Sequence, residues 1–377
     1  MSDVSGGARP GTTTRRAAPA PAPDHPLAQS AVCSRCPKLC RPACPVQRGT
    51  GREAVAPWRI SATVRDALVS GWEPDSVVVA ASCTGCGACA DACLAGIVLP
   101  AESRAARADA SATGVLLPGA AALAERVAAT GSPVPDPARA AAVTADDVPD
   151  ASVALLFGCA VADHDQAVGT AALAIARAAG EPVRCLAGDV CCGAVALDLG
   201  LAEEADALAA AAAGRLAGVD VLVTLSPGCA RMVREEWPRL GQAAPNVATS
   251  VEWVDGLLAD RRLQVTPAAE TVAWHDPCTL TRVLGVVEPQ RRVLAALGVD
   301  VREPAATGVD TRCSGGGAAY PIVDPVGAAA VAAARVRELG APAVPVATAC
   351  PEAARALRSG GAEVRDILEL VADRLPS

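Results

Sequence analysis

Short apolar runs alternate with alanine-rich stretches from about residue 152 to the end of the chain. Each run is only a few residues long, as buried strands are, whereas the stretches between them are long enough for helices. This alternation is typical of βαβ units, which build a parallel sheet covered by helices. The predicted strands are residues 153–157, 219–223, 272–274 and 343–347, and the predicted helices are residues 167–179, 202–216 and 328–339.

The order of these elements occurs twice. In the first half, one predicted strand leads to Cys159 and a later one to Cys229. In the second half, the corresponding strands lead to Cys278 and Cys350. These cysteines are 70 positions apart in the first half and 72 in the second. The near-equal spacing predicts a tandem duplication. The predicted repeats are residues 151–265 and 266–377.

The first third of the chain lacks the alternation of short apolar runs and alanine-rich stretches, and its apolar residues are spaced as in helices. Ile60, Val64 and Leu68 recur at helical spacing, which predicts a helix between Pro57 and Gly71. Proline favours the first turn of a helix and glycine favours its end, so both flanking residues agree with this prediction.

Two segments have too few large apolar side chains to form a packed core. Residues 1–30 consist mostly of Gly, Pro, Thr and Ala, and we predict that they are disordered because burial cannot offset the loss of chain entropy. Pro, Ala and Asp are frequent in the stretch that ends at Asp150, and we predict a linker over residues 113–150.

Cysteines add chemistry to this outline, because 15 of the 16 fall into four sets. Two sets are compact runs with two or three residues between neighbours, and two are sparser sets that accompany the predicted strands. Thiolates are soft ligands that suit iron–sulfur clusters or zinc. The sets are Cys33, Cys36, Cys40 and Cys44; Cys83, Cys86, Cys89 and Cys93; Cys159, Cys191, Cys192 and Cys229; and Cys278, Cys313 and Cys350.

The two compact runs resemble those of bacterial two-cluster ferredoxins, in which the last cysteine of each run ligates the cluster of the other. The resemblance implies an all-helical ferredoxin module over residues 31–112 with two [4Fe–4S] clusters. Two departures are the additional residue between Cys36 and Cys40 and Leu94 in place of the usual proline. Two structural zinc sites are the alternative, although zinc prefers paired cysteines separated by longer loops. The implied ligand sets are Cys33, Cys36, Cys40 and Cys93 for one cluster and Cys83, Cys86, Cys89 and Cys44 for the other.

The third set resembles the cysteine-rich, or CCG, domain found in duplicate in heterodisulfide reductase, glycolate oxidase and lactate-utilisation iron–sulfur proteins. That pattern is one cysteine, a Cys-Cys-Gly triplet and a final Cys-x-x-Cys. The matching residues here are Cys159, Cys191, Cys192, Gly193 and Cys229, with Ser226 in place of one cysteine. The resemblance implies an α/β duplicated cysteine-rich domain after the ferredoxin module. The carboxyl ends of its parallel strands form the crevice where such sheets bind ligands, so both sparse sets are expected to face one crevice.

The second repeat keeps less of this pattern. Ser314 replaces the second cysteine of the triplet and Ala353 stands at the last position. Three thiolates can hold a cluster with one open iron, or a zinc ion with His275 or water as the fourth ligand. A degenerate repeat without metal is the alternative. The remaining candidate ligands are Cys278, Cys313 and Cys350.

The charge and composition of the chain limit the binding partners and the cellular compartment that we expect for it. The formal net charge is −8 and Lys38 is the only lysine, so no basic surface is available for a nucleic acid. No stretch approaches the roughly 18 consecutive apolar residues of a membrane span, and no apolar signal segment follows Arg15-Arg16. Disulfides are not expected, because they require an oxidising compartment. We predict a cytoplasmic protein that reaches the inner face of a membrane only through a partner.

These patterns predict an iron–sulfur subunit of an oxidoreductase, in which the ferredoxin module passes electrons to or from the cysteine-rich domain. The resemblance to glycolate oxidase implies that the chain transfers electrons for a partner subunit. That partner is a flavoprotein dehydrogenase for glycolate, lactate or a related 2-hydroxy acid, or another redox subunit. The resemblance to heterodisulfide reductase implies the alternative, an enzyme that reduces a disulfide at the cysteine-rich domain. The missing cysteines favour the first interpretation, because heterodisulfide reductase uses five thiols for its cluster. No catalytic residue is assigned.

Overall fold

The computed structural model describes residues 31–33, 36–136 and 147–376. The segment predicted to be disordered, residues 1–30, lies outside the described residues, and so does part of the predicted linker. Within the described residues, no helix is both long enough and apolar enough to cross a lipid bilayer.

Helices make up the regular structure of the described residues before position 137. The predicted helix is observed at Pro57–Ser70, where Ile60 and Val64 are buried and Gly71 follows the last turn. The helices of this part are Cys40–Ala43, Pro45–Thr50, Pro57–Ser70, Pro74–Ala81, Ala88–Asp91, Leu99–Ala112 and Ala120–Thr130, with a 3₁₀ turn at Glu53–Val55.

The last of these helices lies inside the segment predicted as a linker. Ala120–Thr130 buries Leu123 and Val127, and both pack in the apolar core that these helices share with the first repeat. Alanine favours helix strongly, and one large apolar residue per turn is sufficient to anchor such a helix. The first part of the predicted linker is therefore packed structure.

The described strands are β1 (Val153–Leu156), β2 (Val183–Leu186), β3 (Val221–Thr224), β4 (Asn246–Thr249), β5 (Glu270–His275), β6 (Val299–Arg302), β7 (Val346–Thr348) and β8 (Val364–Asp366). They form two 4-stranded sheets with the orders β2-β1-β3-β4 and β6-β5-β7-β8. All pairings within both sheets are parallel. The same order therefore occurs twice, as expected for a tandem duplication of one α/β unit.

The three helices predicted for this region are observed at Gln166–Ala178, Ala202–Gly214 and Pro325–Glu338. Further helices are Gly158–His164, Ala194–Asp198, Pro227–Arg231, Ser250–Ala259, Glu288–Ala296, Tyr320–Val323, Pro351–Ser359 and Ile367–Ala372. Turns of π-helix lie at Met232–Glu236 and Thr279–Val283, and 3₁₀ turns lie at Trp237–Leu240 and Gly308–Asp310.

Shared apolar cores join the three parts of the chain. Gln166–Ala178 of the first repeat packs against Ile367–Ala372 of the second, within one core that includes residues of both sheets. The N-terminal helices share a core with the first repeat. Pro45–Thr50 packs along Pro325–Glu338 of the second repeat. The N-terminal helices therefore contact both repeats.

Candidate functional site

An inner cavity lies among the N-terminal helices and is lined by Cys44, Cys83, Cys86 and Cys89. All four thiols are buried. The remaining lining is mostly apolar and includes Ile60. One thiol comes from the first cysteine run and three from the second, which is the crossed grouping implied by the ferredoxin resemblance.

An outer cavity contains the other four cysteines of the two runs, Cys33, Cys36, Cys40 and Cys93. Their side chains are only partly buried, in contrast to those of the inner cavity. Trp58 also lines the outer cavity. The outer cavity is therefore nearer to solvent than the inner one.

Burial raises the pKa of thiols at both cavities, to about 11 for Cys33 and to about 12 for Cys44. Neighbouring cysteines of the same cavity raise these values further, because adjacent thiolates repel one another. A bound metal stabilises thiolates, so its binding would release protons from these groups. Four thiols around an apolar cavity fit an iron–sulfur cluster, which is held by four thiolates.

A crevice of about 380 Å³ lies where the N-terminal helices meet both repeats. Four of its cysteines follow the central strands β1 and β3 of the first sheet and β5 and β7 of the second, whereas Cys192 and Cys313 follow the edge strands β2 and β6. Open α/β sheets bind ligands at this point, where the strand order reverses. The predicted site residues that line the crevice are Cys159, Cys192, Cys229, His275, Cys278, Cys313 and Cys350.

The four thiols of the first repeat lie together. Cys191 is a neighbour of Cys159 and Cys192, and Cys192 Sγ donates a hydrogen bond to Cys229 Sγ at 3.3 Å. The neighbouring thiols of Cys191 and Cys229 hold the pKa of Cys192 well below its usual range.

Two family descriptions match the chain. "4Fe-4S dicluster domain" matches residues 29–97, which include both four-cysteine cavities. "Cysteine-rich domain" matches residues 153–234 and again residues 272–357, one match to each sheet-containing unit. The chain combines a 4Fe-4S dicluster domain with a duplicated cysteine-rich domain. The resemblance inferred from the cysteine spacing is confirmed.

Relatives share parts of this architecture. The chain is 27% identical over 240 residues to a subunit of the fumarate reductase (CoM/CoB) of Methanothermobacter marburgensis, covering 62% of this chain and 47% of the relative. It is 35% identical over 159 residues to a subunit of the dihydromethanophenazine:CoB--CoM heterodisulfide reductase of Methanosarcina acetivorans, covering 39% of each. A "Probable membrane-anchored ferredoxin" of Chromohalobacter salexigens is 35% identical over 169 residues, covering 41% of this chain and 25% of the relative. The matches span less than half the length of these relatives.

The cysteines of the second cysteine-rich domain form a less compact group. Cys313 is a neighbour of Cys278 and also of Cys86 of the inner cavity. Cys350 instead donates a hydrogen bond to the Glu352 carboxylate at 3.2 Å. Within residues 31–33, 36–136 and 147–376, no three His, Cys, Asp or Glu side chains converge as they would around a single metal ion.

His275 lines the crevice, and its Nδ1 atom already has a hydrogen-bond partner. Its Nδ1 accepts a hydrogen bond from Nε of Arg335 at 3.2 Å. Burial and the charge of Arg335 lower its pKa to about 3, so the ring is neutral. With Nδ1 as the acceptor, the proton lies on Nε2. This tautomer favours a hydrogen-bond donor to a crevice ligand over the metal ligand considered from the sequence.

The helix starts show which residues of the two cysteine-rich domains correspond. Ser226 precedes Pro227–Arg231 and Cys350 precedes Pro351–Ser359, each with proline in the first turn. Cys350 therefore corresponds to Ser226, and not to Cys229 as the near-equal spacing suggested. Each domain retains a different member of the final cysteine pair.

Glu352 joins the two cysteine-rich domains at the crevice. Its carboxylate accepts a hydrogen bond from Ser226 Oγ at 2.7 Å as well as the one from Cys350. No pattern in the sequence marks Glu352 as a site residue. It lies inside the incomplete Cys-x-x-Cys motif of the second repeat, one residue before Ala353.

Close contacts also bring the dicluster domain against the second cysteine-rich domain. Arg282 donates to the carbonyl oxygen of Cys86 at 2.6 Å and forms an ion pair with Asp91 at 2.8 Å. Gly317 leaves room for the same loop, because a Cβ there would come within 2.5 Å of the Thr84 carbonyl oxygen. The inner cavity and the crevice are therefore adjacent.

Proposed function

We propose that this chain is the iron–sulfur electron-transfer subunit of an oxidoreductase, with one [4Fe–4S] cluster in each of the inner and outer cavities. The observation that carries this proposal is the close approach of the inner cavity to the crevice. Cys86, which lines the inner cavity, is a direct neighbour of Cys313, which lines the crevice, and Arg282 donates to the carbonyl oxygen of Cys86 at 2.6 Å. The outer cavity is nearer to solvent.

The residues of the chain would hold, shield and connect the redox groups. The four thiols of each cavity are the proposed ligands, and bound clusters would exchange single electrons. Apolar residues such as Val46 and Leu99 keep water away from the inner cavity. Arg282 fixes the carbonyl group of Cys86 and thereby the loop that faces the crevice. The thiols of the crevice are proposed to hold a further iron–sulfur cluster or zinc.

The proposed partner is a flavoprotein dehydrogenase for glycolate, lactate or a related 2-hydroxy acid. Such a partner would oxidise its substrate by two electrons and pass them on singly. The incomplete crevice supports this role, because Ser226, Ser314 and Ala353 occupy cysteine positions of the motif. The outer cavity is the proposed entry for electrons, since its thiols are the more exposed ones. Association with a membrane through this partner stays a prediction.

Reduction of a disulfide at the crevice is the second candidate function. It is favoured by the lowered pKa of Cys192, which lies among the three further thiols of the first repeat. It is also favoured by the relative that is named as part of a heterodisulfide reductase. The incomplete cysteine set of the second domain speaks against it.

An anaerobic reduction assay separates these functions. The full chain is mixed with the flavoprotein subunit of a glycolate oxidase, and glycolate or lactate is added as the reductant. We expect the visible iron–sulfur absorbance to bleach only when both the flavoprotein and its substrate are present. Cys36→Ser, which alters the outer cavity proposed as the entry for electrons, should slow this reduction strongly, whereas Cys185→Ser, outside the four cysteine sets, is the matched control.

The same preparation tests the alternative. The chain is kept reduced by excess reduced methyl viologen and mixed with a small disulfide such as oxidised glutathione, and viologen oxidation is compared with that in a sample without the chain. Electron transfer as the sole function predicts no repeated turnover of the disulfide. Sustained turnover by the chain alone, or bleaching by 2-hydroxy acids without the flavoprotein, would contradict the proposed role.

A further inference from the structure

Arg107 is a buried arginine at the junction of all three domains. Its side chain lies in Leu99–Ala112 of the dicluster domain and is almost fully excluded from solvent. Its guanidinium group donates only to uncharged oxygens, from both the dicluster domain and the two cysteine-rich domains. These are the carbonyl oxygens of Asp198 at 2.7 Å, Cys83 at 3.0 Å, Ala318 at 3.0 Å and Ala81 at 3.4 Å, and Oγ of Ser103 at 3.1 Å.

The lack of a carboxylate partner distinguishes Arg107 from the other buried arginines of the described chain. Those are Arg231, Arg335 and Arg374, and each has a carboxylate oxygen within 3.2 Å. For Arg107, no carboxylate of the described residues lies within ion-pair distance, and Nε has no hydrogen-bond partner. The charge of the Asp198 carboxylate acts on Arg107 from beyond ion-pair distance, and the same carboxylate lies 3.8 Å from Arg231.

A buried charge without a counter-ion is unfavourable, and an arginine does not relieve it by losing its proton. The inner cavity offers the missing negative charge, since Arg107 already donates to the carbonyl oxygen of Cys83. Four thiolates around an iron–sulfur cube would give this cavity a net negative charge.

We propose that Arg107 is a positioning residue that raises the reduction potential of the cluster held by Cys44, Cys83, Cys86 and Cys89. Each one-electron reduction adds one negative charge to that cavity, and a buried cation beside it stabilises the reduced state more than the oxidised state. Arg282 also donates to this loop, but Asp91 compensates its charge. This inference rests on the proposed function, because it requires a cluster in the inner cavity.

A redox titration followed by EPR tests the proposal on the full chain with its clusters in place. Arg107→Gln removes the charge, Arg107→Lys keeps it, and Arg374→Gln is a control for the loss of a buried arginine elsewhere. Cys36→Ser, which alters the outer cavity, identifies which of the two EPR signals belongs to the inner one. We expect Arg107→Gln to lower the potential of the inner cluster more than that of the outer cluster. Arg107→Lys and Arg374→Gln should leave it near the wild-type value.

Iron content, measured on each sample, separates failure of this inference from failure of the proposed function. A chain without iron in the inner cavity contradicts the proposed function itself. With iron present, an unchanged potential in Arg107→Gln, or an equal fall in Arg107→Lys, overturns the inference. If Arg107→Gln loses the inner cluster but Arg107→Lys keeps it at the wild-type potential, the positive charge is required and the inference is supported. If both variants lose the inner cluster, Arg107 has a purely structural role and the inference is overturned.

Discussion

At the scale of single residues, the two cysteine-rich domains share one turn after the first cysteine of the triplet. The amide of Gly193 donates to Sγ of Cys191 at 3.4 Å, and the amide of Gly315 donates to Sγ of Cys313 at 3.3 Å. Both glycines have a left-handed backbone, with φ of 92° and 90°. The second domain therefore keeps the thiol-binding turn although Ser314 replaces its neighbouring cysteine.

Gly193→Ala should destabilise the protein for two reasons. Alanine is strained at this positive φ, and its Cβ would come within 2.6 Å of the Ala205 carbonyl oxygen. We expect a loss on the order of 1–3 kcal/mol in the free energy of unfolding, measured by denaturant titration with circular dichroism. Gly256→Ala is the control, because it lies within Ser250–Ala259 with open space around it, and it should gain roughly 0.5–1 kcal/mol. Equal effects of both substitutions would refute this account of the turn.

The sequence identifies the cysteines of the site because their spacing is local, but it does not identify the residues that join the domains. Ser226 meets Glu352 across 126 positions, and Arg107 meets Asp198 across 91. Neither pair leaves a periodic signal in the sequence. Only the packing of the three domains brings these side chains together, so they could not be predicted from local patterns.

At the scale of elements, the four strands that the apolar pattern predicts are the central strands β1, β3, β5 and β7. Central strands are covered on both faces and read as continuous apolar runs. The strands that the pattern missed are the four edge strands β2, β4, β6 and β8. Edge strands carry polar residues such as Arg184 and Asp300, so their apolar signal is interrupted.

The helix Ala120–Thr130, which lies within the predicted linker, is expected to contribute to the core. Leu123 is 6% exposed and packs in the core shared by the dicluster domain and the first cysteine-rich domain. Leu123→Ala should therefore cost roughly 2–4 kcal/mol in the free energy of unfolding. Leu116→Ala, at a side chain that is 44% exposed, should cost less than about 1 kcal/mol. Similar losses for the two variants would show that Ala120–Thr130 does not contribute to the core.

At the scale of the whole molecule, the outer cavity, the inner cavity and the crevice are parts of one packed unit. The rule that parallel strands present ligands at their carboxyl ends was sufficient to predict that both sparse cysteine sets face one crevice. The contact of Cys86 with Cys313 could not be predicted in this way. It depends on how the dicluster domain packs against the two cysteine-rich domains, through the shared apolar core and through hydrogen bonds of Arg107 and Arg282.

Whether the inner and outer cavities each hold a [4Fe–4S] cluster is tested most directly by counting iron and acid-labile sulfide in the anaerobically purified chain. The EPR spectrum of the reduced protein is recorded on the same samples. Two clusters in the dicluster domain predict that Cys36→Ser and Cys86→Ser each lose about four iron atoms per chain, from the outer and the inner cavity respectively. Cys185→Ser, which alters a buried cysteine outside the four sets, should retain the full content. Unchanged iron in both Cys36→Ser and Cys86→Ser would contradict the assignment of clusters to these cavities.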